Sequence, residues 1–431
     1  MMKTSISFLS RRAFLHRSAL TAASLGASLS FPFVVTRPVF GAAWSEGIRV
    51  GVIGVGGQGR SHMRLNFDNL VAICDVDKKI LAARKEEAEQ QTKRTIATYS
   101  DYRKLLDSKE IDAVIIATPD HWHALPTIHA CQAGKDVYTE KPLTLTVAEG
   151  RAMVKAARKY NRIVQTGSQQ RSEENFRYAC ELVRSGRIGK IKTVRVGTPG
   201  VNWTKEAAVP DSEPPAELDY DMWLGPAPFR PYNKHRVHYY FRFFWNYSGG
   251  QMTNWGAHHL DIAQWGLGMD ESGPVEIDGQ GKFNQDHLYE VPETFEITYK
   301  YANGVNLLCG SRQKQGTTFE GEKGTIFVNR GKLESTPADI IEQPITDKDV
   351  RLYKSSGHHR NWYECIKSRQ QPIGDVEIGH RSATVCHLGN ISICVGRKIK
   401  WDPAKEEIVG DAEAAKLLSY DYRKPWSLPQ I

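Results

Sequence analysis

The chain has 431 residues, 40% of them apolar and 25% charged, with a formal net charge of +8. That length exceeds one ordinary core and predicts two domains with extensions, and the composition is that of a globular chain rather than a fibrous or disordered one. Lys3, Arg11, Arg12, Arg17 and Arg37 supply five of the charges within residues 1–43, where no acid occurs, so the remainder carries only +3. With no clustered basic stripe interleaved with aromatics, a nucleic-acid partner is excluded.

The first element is a leader. Ser10-Arg11-Arg12-Ala13-Phe14-Leu15-His16 has the form of a twin-arginine export signal, followed by a mildly apolar stretch from Ala19 to Val35 and small residues at Gly41-Ala42-Ala43 suited to cleavage. The Ser, Thr, Gly and Pro within that stretch argue against a permanent span. The expectation is a removable signal over 1–43, the twin-arginine export machinery as a partner, and a periplasmic or otherwise exported protein. The seven cysteines are odd in number, show no C-x-x-C and fall mostly in apolar runs. They read as buried free thiols, which suits cargo that folds in a reducing compartment before export.

From Ile48 to about Gly167 short apolar runs alternate with helical stretches, the pattern of a parallel sheet. Arg49–Ile53 reads as a buried strand entering Gly54-Val55-Gly56-Gly57-Gln58-Gly59, a G-x-G-x-x-G that opens a helix. Gly54 allows a tight turn, Gly56 lets backbone approach a pyrophosphate, and Gly59 lets the helix pack closely on the strand. The phosphates would meet the helix N-terminus, where free N–H groups and the dipole favour negative charge. A glycine turn alone is weak evidence, because such turns are also purely structural. Here the run Leu70–Cys74 ends in Asp75, 21 residues after Gly54, where a carboxylate meets a ribose 2′-hydroxyl. The acid favours NAD over NADP, while Arg60 and Lys78 nearby keep NADP open.

Further strands are expected at Asp112–Ala117, Asp136–Thr139 and Arg162–Gln165, with helices at Leu125–Ala133 and Val147–Tyr160. Ligands in such sheets bind beyond the carboxyl ends of strands. Three polar clusters fall there: Thr118-Pro119-Asp120-His121-Trp122-His123, Glu140-Lys141-Pro142, and Gln165-Thr166-Gly167-Ser168-Gln169-Gln170-Arg171. Each alone could be an ordinary loop; their shared placement points to one cleft. After Gly167 the character changes to a helix near Asn175–Arg184, a strand at Ile191–Val196, and a Pro- and aromatic-rich segment from Pro199 to Tyr247. Strands at Thr294–Tyr299 and Val305–Gly310 flank Asn303-Gly304, a hairpin signal. Gly324–Val328 reads as a strand, and Asn361–Ser368 and His380–Gly396 as helices. The fold class is α/β, with an N-terminal Rossmann domain over 44–167 and a C-terminal α+β domain over 168–431.

Gly54–Gly59, the Thr118–His123 loop, Glu140-Lys141-Pro142 and Ser248-Gly249-Gly250 leading to His258-His259-Leu260-Asp261 together resemble the Gfo/Idh/MocA oxidoreductases, typified by glucose–fructose oxidoreductase and inositol dehydrogenase. The resemblance covers nearly the whole chain after the leader. It implies a second domain built on a large, mostly antiparallel open sheet, a C-terminal helix packed back on the first domain, and a homo-oligomer. By the same resemblance Lys141 and His258 are the catalytic pair. An ammonium there polarises a reacting oxygen or passes on its proton, and an imidazole titrates near neutral pH.

Cofactor contacts are expected from Gly54, Gly56, Gly57, Gln58, Gly59 and Asp75, and from Thr118, Pro119, His121, His123, Glu140, Lys141 and Gln169. Sugar contacts are expected from Arg171, Arg242, Trp245, Asn254, His258 and His259. One departure matters. Many of these dehydrogenases place an aspartate four residues before the histidine, and this chain has Asn254, which can orient a ligand but cannot share a proton. The pairs His121/His123, His258/His259 and His358/His359 offer no ready chelate, so no metal is expected. Trp223-Leu224-Gly225-Pro226-Ala227-Pro228 resembles a recurring segment of exported members and carries no assignable chemistry.

The implied function is oxidation and reduction of a ring hydroxyl of a sugar or glycoside by a tightly bound NAD (NADP possible). The alternatives are NAD-dependent glycoside cleavage through a transient 3-keto group and a non-catalytic binder of sugar or cofactor.

Overall fold

The computed structural model describes residues 45–200, 209–283 and 288–431. The expected export signal, with Arg11 and Arg12, lies outside the described residues.

Six parallel strands form the first sheet: β1 (Val50–Ile53), β2 (Leu70–Cys74), β3 (Ala97–Tyr99), β4 (Ala113–Ile116), β5 (Asp136–Thr139) and β6 (Val164–Thr166). They lie in the order β3-β2-β1-β4-β5-β6. β1 and β4 are buried along their whole length, as strands covered on both faces must be, and this is why they read as unbroken apolar runs. β3 has no such run, since Ala97 and Thr98 are exposed, and hydropathy alone passes it over. The crossover helices are α1 (Gly57–Leu65), α2 (Lys78–Thr92), α3 (Tyr102–Asp107), α4 (Ala124–Gln132) and α5 (Val147–Lys159). Asp77 caps α2 by accepting from the N–H groups of Lys79 and Ile80, and Thr146 with Glu149 forms a capping box on α5. Strand order reverses between β1 and β4, which opens a crevice at their carboxyl ends.

The second sheet has nine strands: β7 (Ile191–Gly197), β8 (Glu276–Lys282), β9 (Thr294–Lys300), β10 (Asn306–Gly310), β11 (Gly316–Gly321), β12 (Thr325–Asn329), β13 (Lys332–Thr336), β14 (Ile399–Asp402) and β15 (Glu407–Ile408). Their order is β13-β12-β11-β7-β10-β9-β8-β14-β15. Only β7 and β10 run parallel; the other pairs are antiparallel. β9 and β10 make the hairpin expected at Asn303-Gly304, with Gly304 at φ +86°. Phe295, Ile297 and Tyr299 of β9 point into the core while Thr294, Thr298 and Lys300 face out, the alternation of a sheet covered on one side.

The covering helices are α6 (Glu174–Arg184), α9 (Gly256–Leu267) and α12 (Val376–Val395). Eleven of the twelve residues of α9 are buried, so it lacks the amphipathic stripe by which a surface helix is recognised. The remaining helices are α7 (Tyr220–Leu224), α8 (Gly250–Asn254), α10 (Asp339–Glu342), α11 (His358–Ser368) and α13 (Ala412–Lys416).

α12 starts at Val376, ahead of the expected His380, and packs on both α5 and β8. Glycines permit this approach: a Cβ on Gly379 would lie 2.1 Å from Thr166 Oγ1, and one on Gly150 of α5 would lie 2.4 Å from His380 Nδ1. Arg171 locks the same region. Its Nε lies 2.8 Å from Asp261 Oδ2 of α9 and its Nη2 lies 2.7 Å from Asp270 Oδ1, while Ser382 of α12 donates to Asp261 at 2.6 Å. Arg171 and Asp261 are each 1% exposed. Arg171 is therefore a buried structural cation and not the sugar contact expected from its loop.

Removing one member of a buried pair leaves the other charge uncompensated. Arg171→Met is expected to lower unfolding free energy by about 3–5 kcal/mol, read from denaturant midpoints. A loss within experimental scatter would contradict the structural role.

Candidate active site

A cleft of about 850 Å³ lies at the carboxyl ends of β1, β2, β4 and β5 and is covered by the second domain. At one end is the glycine turn. Gly54 adopts φ +80°, and a Cβ there would come within 2.9 Å of the Ala117 carbonyl and the Thr118 nitrogen. A Cβ on Gly59 would stand 1.7 Å from the Gly54 oxygen, so α1 touches β1 there and Gly59 serves packing rather than ligand contact. Gly56 and Gly57 face open space. No side chain caps α1, whose first N–H groups are left for an anion.

Asp75 completes this end. Its Oδ2 accepts from Val55 N at 2.8 Å and its Oδ1 from Asp77 N at 3.0 Å, which aims the carboxylate into the cleft. Burial raises its pKa, and these two N–H groups pull it back. Arg60 is committed to Glu87 at 2.9 Å, and neither it nor Lys78 lines the cleft. The ribose position therefore meets the Asp75 carboxylate and neither of these two cations, which fits NAD.

At the other end β5 delivers Glu140-Lys141-Pro142. Glu140 Oε1 accepts from His62 Nε2 at 2.8 Å, Gln169 at 3.2 Å and Gln58 at 3.4 Å, and Oε2 accepts from the Lys141 N–H at 3.2 Å. Burial alone would raise the carboxyl, but the hydrogen bond and charge of His62, with Lys141, hold it at about 2. His62 is steadied in turn by His359, at 3.0 Å from its Nδ1.

Lys141 Nζ donates to both the main-chain O and the Oδ1 of Asn254, each at 3.0 Å. The Asn254 amide is oriented by donating to Gln251 Oε1 at 3.0 Å. Burial lowers the Lys141 pKa against the opposing pull of Glu140 and Asp120. His258 enters from α9, four residues beyond the end of α8. Burial, and then the charges of Lys141 and Arg330, push its pKa well below the ordinary value, so the ring is neutral. Its Nδ1 has no partner among the described residues.

Gly54, Gly56, Gly57, Gln58, Asp75, Thr118, Pro119, His123, Glu140, Lys141 and Gln169 all line this cleft, as do Arg242, Asn254 and His258. Three other expected residues besides Arg171 and Gly59 do not. His259 is fully buried and stacks on Trp255. Trp245 sits against Glu290, which accepts its N–H at 3.1 Å. His121 is 1% exposed and pairs through Nε2 with the Trp223 carbonyl at 3.0 Å. Trp245 and His121 are drawn away by hydrogen-bond partners distant in sequence, His259 by the ring one helical turn before it. Arg330 and Asp120 line the cleft without having been singled out. Arg330 stacks over Trp255 at 4.9 Å from the turn between β12 and β13, where nothing local marks it.

The segment Trp223–Pro228 gains a role. The Trp223 carbonyl also accepts from Trp122 Nε1 at 2.9 Å, and Gly225, at φ +50°, lies against the Trp122 ring. Arg423 donates to the Gly225 carbonyl at 3.0 Å and the Asp221 carbonyl at 2.8 Å, and Trp426 packs edge-on to Trp122. Nearby, Asp219 N donates to Val76 O and Lys78 N to Glu217 O. These contacts clasp the segment to the loops after β2 and β4. From it a 3₁₀ turn, His238–Phe243, lays His238, Tyr239, Phe241 and Arg242 along the cleft. His238 reaches Asp77 at 3.6 Å beside the ribose end.

Models of known families match both halves: the NAD-binding Rossmann fold of the oxidoreductase family over residues 48–168, and the family's C-terminal α/β domain over 175–428. Myo-inositol 2-dehydrogenase of Thermotoga maritima is 30% identical over 84% of this chain and 100% of its own. Glycosyl hydrolase family 109 protein 1 of a Shewanella species is 35% identical over 160 residues, so that match spans only 34% of either chain. The WlbA dehydrogenase of Bordetella pertussis, solved with NADH and UDP-GlcNAcA, shares the fold with a TM-score of 0.60 at 22% identity, covering 82% of this chain and 99% of its own. With a Rossmann turn, a facing lysine and histidine, and a nine-stranded second sheet in one chain, this protein belongs to the Gfo/Idh/MocA family of oxidoreductases and carries that family's NAD-binding domain.

Proposed function

We propose that this chain is an exported oxidoreductase that oxidises and reduces a ring hydroxyl of a sugar or glycoside with an NAD it does not release. The observation that carries this reading is a half-buried lysine, pinned by Asn254 and sharing the end of a dinucleotide cleft with a neutral histidine. NAD supplies the acceptor and donor of hydride. Lys141, its pKa lowered by burial, takes the hydroxyl proton as a free amine and returns it as an ammonium. His258 presents an unpaired Nδ1 and orients the same hydroxyl or its neighbour. Relatives named for inositol and for a sugar nucleotide favour a polyhydroxylated ring as substrate.

Export follows from the twin-arginine leader of residues 1–43. No free nicotinamide pool is expected outside the cytoplasm, so the cofactor is loaded before export and the redox cycle closes on itself, between two sugars or within one. The clasp at Trp223–Pro228 supports retention, because it joins this segment to the loops on either side of the dinucleotide cleft. A second reading is favoured by the match to a glycosyl hydrolase family 109 protein. There, transient oxidation at C3 acidifies the neighbouring C–H, the aglycone leaves by elimination, water adds, and the ketone is reduced again.

A nitrophenyl glycoside separates these readings: reduction of bound cofactor without nitrophenol favours dehydrogenation, and nitrophenol without net reduction favours cleavage. Lys141→Met is expected to cut either turnover by about 10²–10⁴-fold while cofactor content holds; unchanged turnover would refute Lys141 as the base. In the wild type the acid limb of sugar oxidation should fall below the ordinary lysine range, because burial favours the free amine. Gly225→Val drives a side chain into Trp122. It should speed exchange of labelled NAD by at least about tenfold, ~1.4 kcal/mol of lost closure; exchange at the wild-type rate would show that the clasp does not retain the cofactor.

A further inference from the structure

Lys141 touches an amide that carries no charge, so its ammonium must be balanced from elsewhere in the cleft. Glu140 is the adjacent carboxylate, but both its oxygens are engaged: three donors reach Oε1, and Oε2 takes the Lys141 N–H. Asp120 differs. It opens the short turn after Thr118-Pro119, is 6% exposed and lines the cleft. Only its Oδ2 is bound, by the Ser248 hydroxyl at 2.5 Å; no partner meets Oδ1 among the described residues. Ser248 begins the turn into α8, whose last residue is Asn254. One hydrogen bond thus fixes Asp120 of the first domain to the element of the second that holds Lys141.

We propose that Asp120 is the charge partner of Lys141, a positioning residue that stands in for the carboxylate Asn254 lacks and keeps the lysine able to take a proton as the amine and return it as the ammonium. The groups around the lysine are Glu140 from β5, Asp120 from the loop after β4, Arg242 from the 3₁₀ turn, Arg330 from the β12–β13 turn, and His258 from α9. Burial, Arg242 and Arg330 drive the lysine toward its neutral form, and Glu140 and Asp120 oppose them. Burial raises Asp120 itself, against the pull of His123, Ser248, Arg242 and Lys141. Without Asp120 the amine loses its proton at lower pH. Oxidation, which needs the free amine, then survives to lower pH, while reduction, which needs the ammonium, weakens at neutral pH.

The catalytic consequence rests on the hydride-transfer reading, but the coupling itself can be measured without turnover. The cofactor-loaded protein is labelled with acetic anhydride across a pH series, and modification of Lys141 is read by peptide mass spectrometry. Asp120→Asn can still accept the Ser248 hydrogen bond and is expected to lower the labelling midpoint by about one pH unit. Asp120→Ser removes the same charge and serves if the Asn variant does not fold. An unchanged midpoint overturns the proposal whatever the turnover. A lowered midpoint in a protein that transforms no sugar keeps the coupling and overturns the hydride-transfer reading instead.

Discussion

The site depends on one half-buried cation between two domains. Lys141 leaves the end of β5 in the first domain, and its ammonium is met by Asn254 from α8 in the second. Taking a lone charge out of water is costly unless it is paired and hydrogen-bonded. The surroundings supply two acceptors on Asn254, and the carboxylates of Glu140 and Asp120 line the same cleft. The same desolvation that makes the charge expensive makes the proton easy to give up, which is the property a base for an alcohol requires. Tight placement of the domains is therefore part of the chemistry. The glycine contacts of α12 with Thr166 and of α5 with His380 hold that placement.

The second consequence of the interface concerns the cofactor. An open Rossmann crevice binds a dinucleotide that can leave. Here a segment of the second domain lines the crevice, held by the Trp223 carbonyl at one loop and by main-chain bonds to Val76 and Lys78 at the other. The C-terminal residues Arg423 and Trp426 reinforce it. On the proposed reading this closure serves a compartment without a nicotinamide supply, and it explains why a redox-neutral cycle suits the protein.

Local signals were legible in the sequence where the chemistry is local. The glycine turn, the acid at Asp75, the E-K-P lysine and the parallel-strand pattern each occupy a few adjacent residues, and the cleft brings them together. Residues decided by distant partners were not legible. Arg171 follows a strand end and resembles a ligand-binding arginine, yet Asp261 and Asp270 claim it. His121 and His123 look alike in sequence, but the Trp223 carbonyl takes the first out of the cleft. Arg330 reaches the cleft only because the β12–β13 turn is carried there by the sheet. The 3₁₀ turn that lines the cleft sits in a Pro- and aromatic-rich stretch with no periodicity, and its own apolar cluster around Trp223, Phe243 and Tyr247 gives it order.

On the proposed reading a captive NAD exchanges hydride with a sugar at Lys141. The most direct measurement is the nicotinamide content of the protein recovered from the periplasm, followed by its redox state after a sugar panel is added with no free cofactor. The account predicts nicotinamide in equimolar amount with the chain, and a change in its absorbance on adding at least one sugar. Protein that reaches the periplasm folded but free of nicotinamide would contradict it.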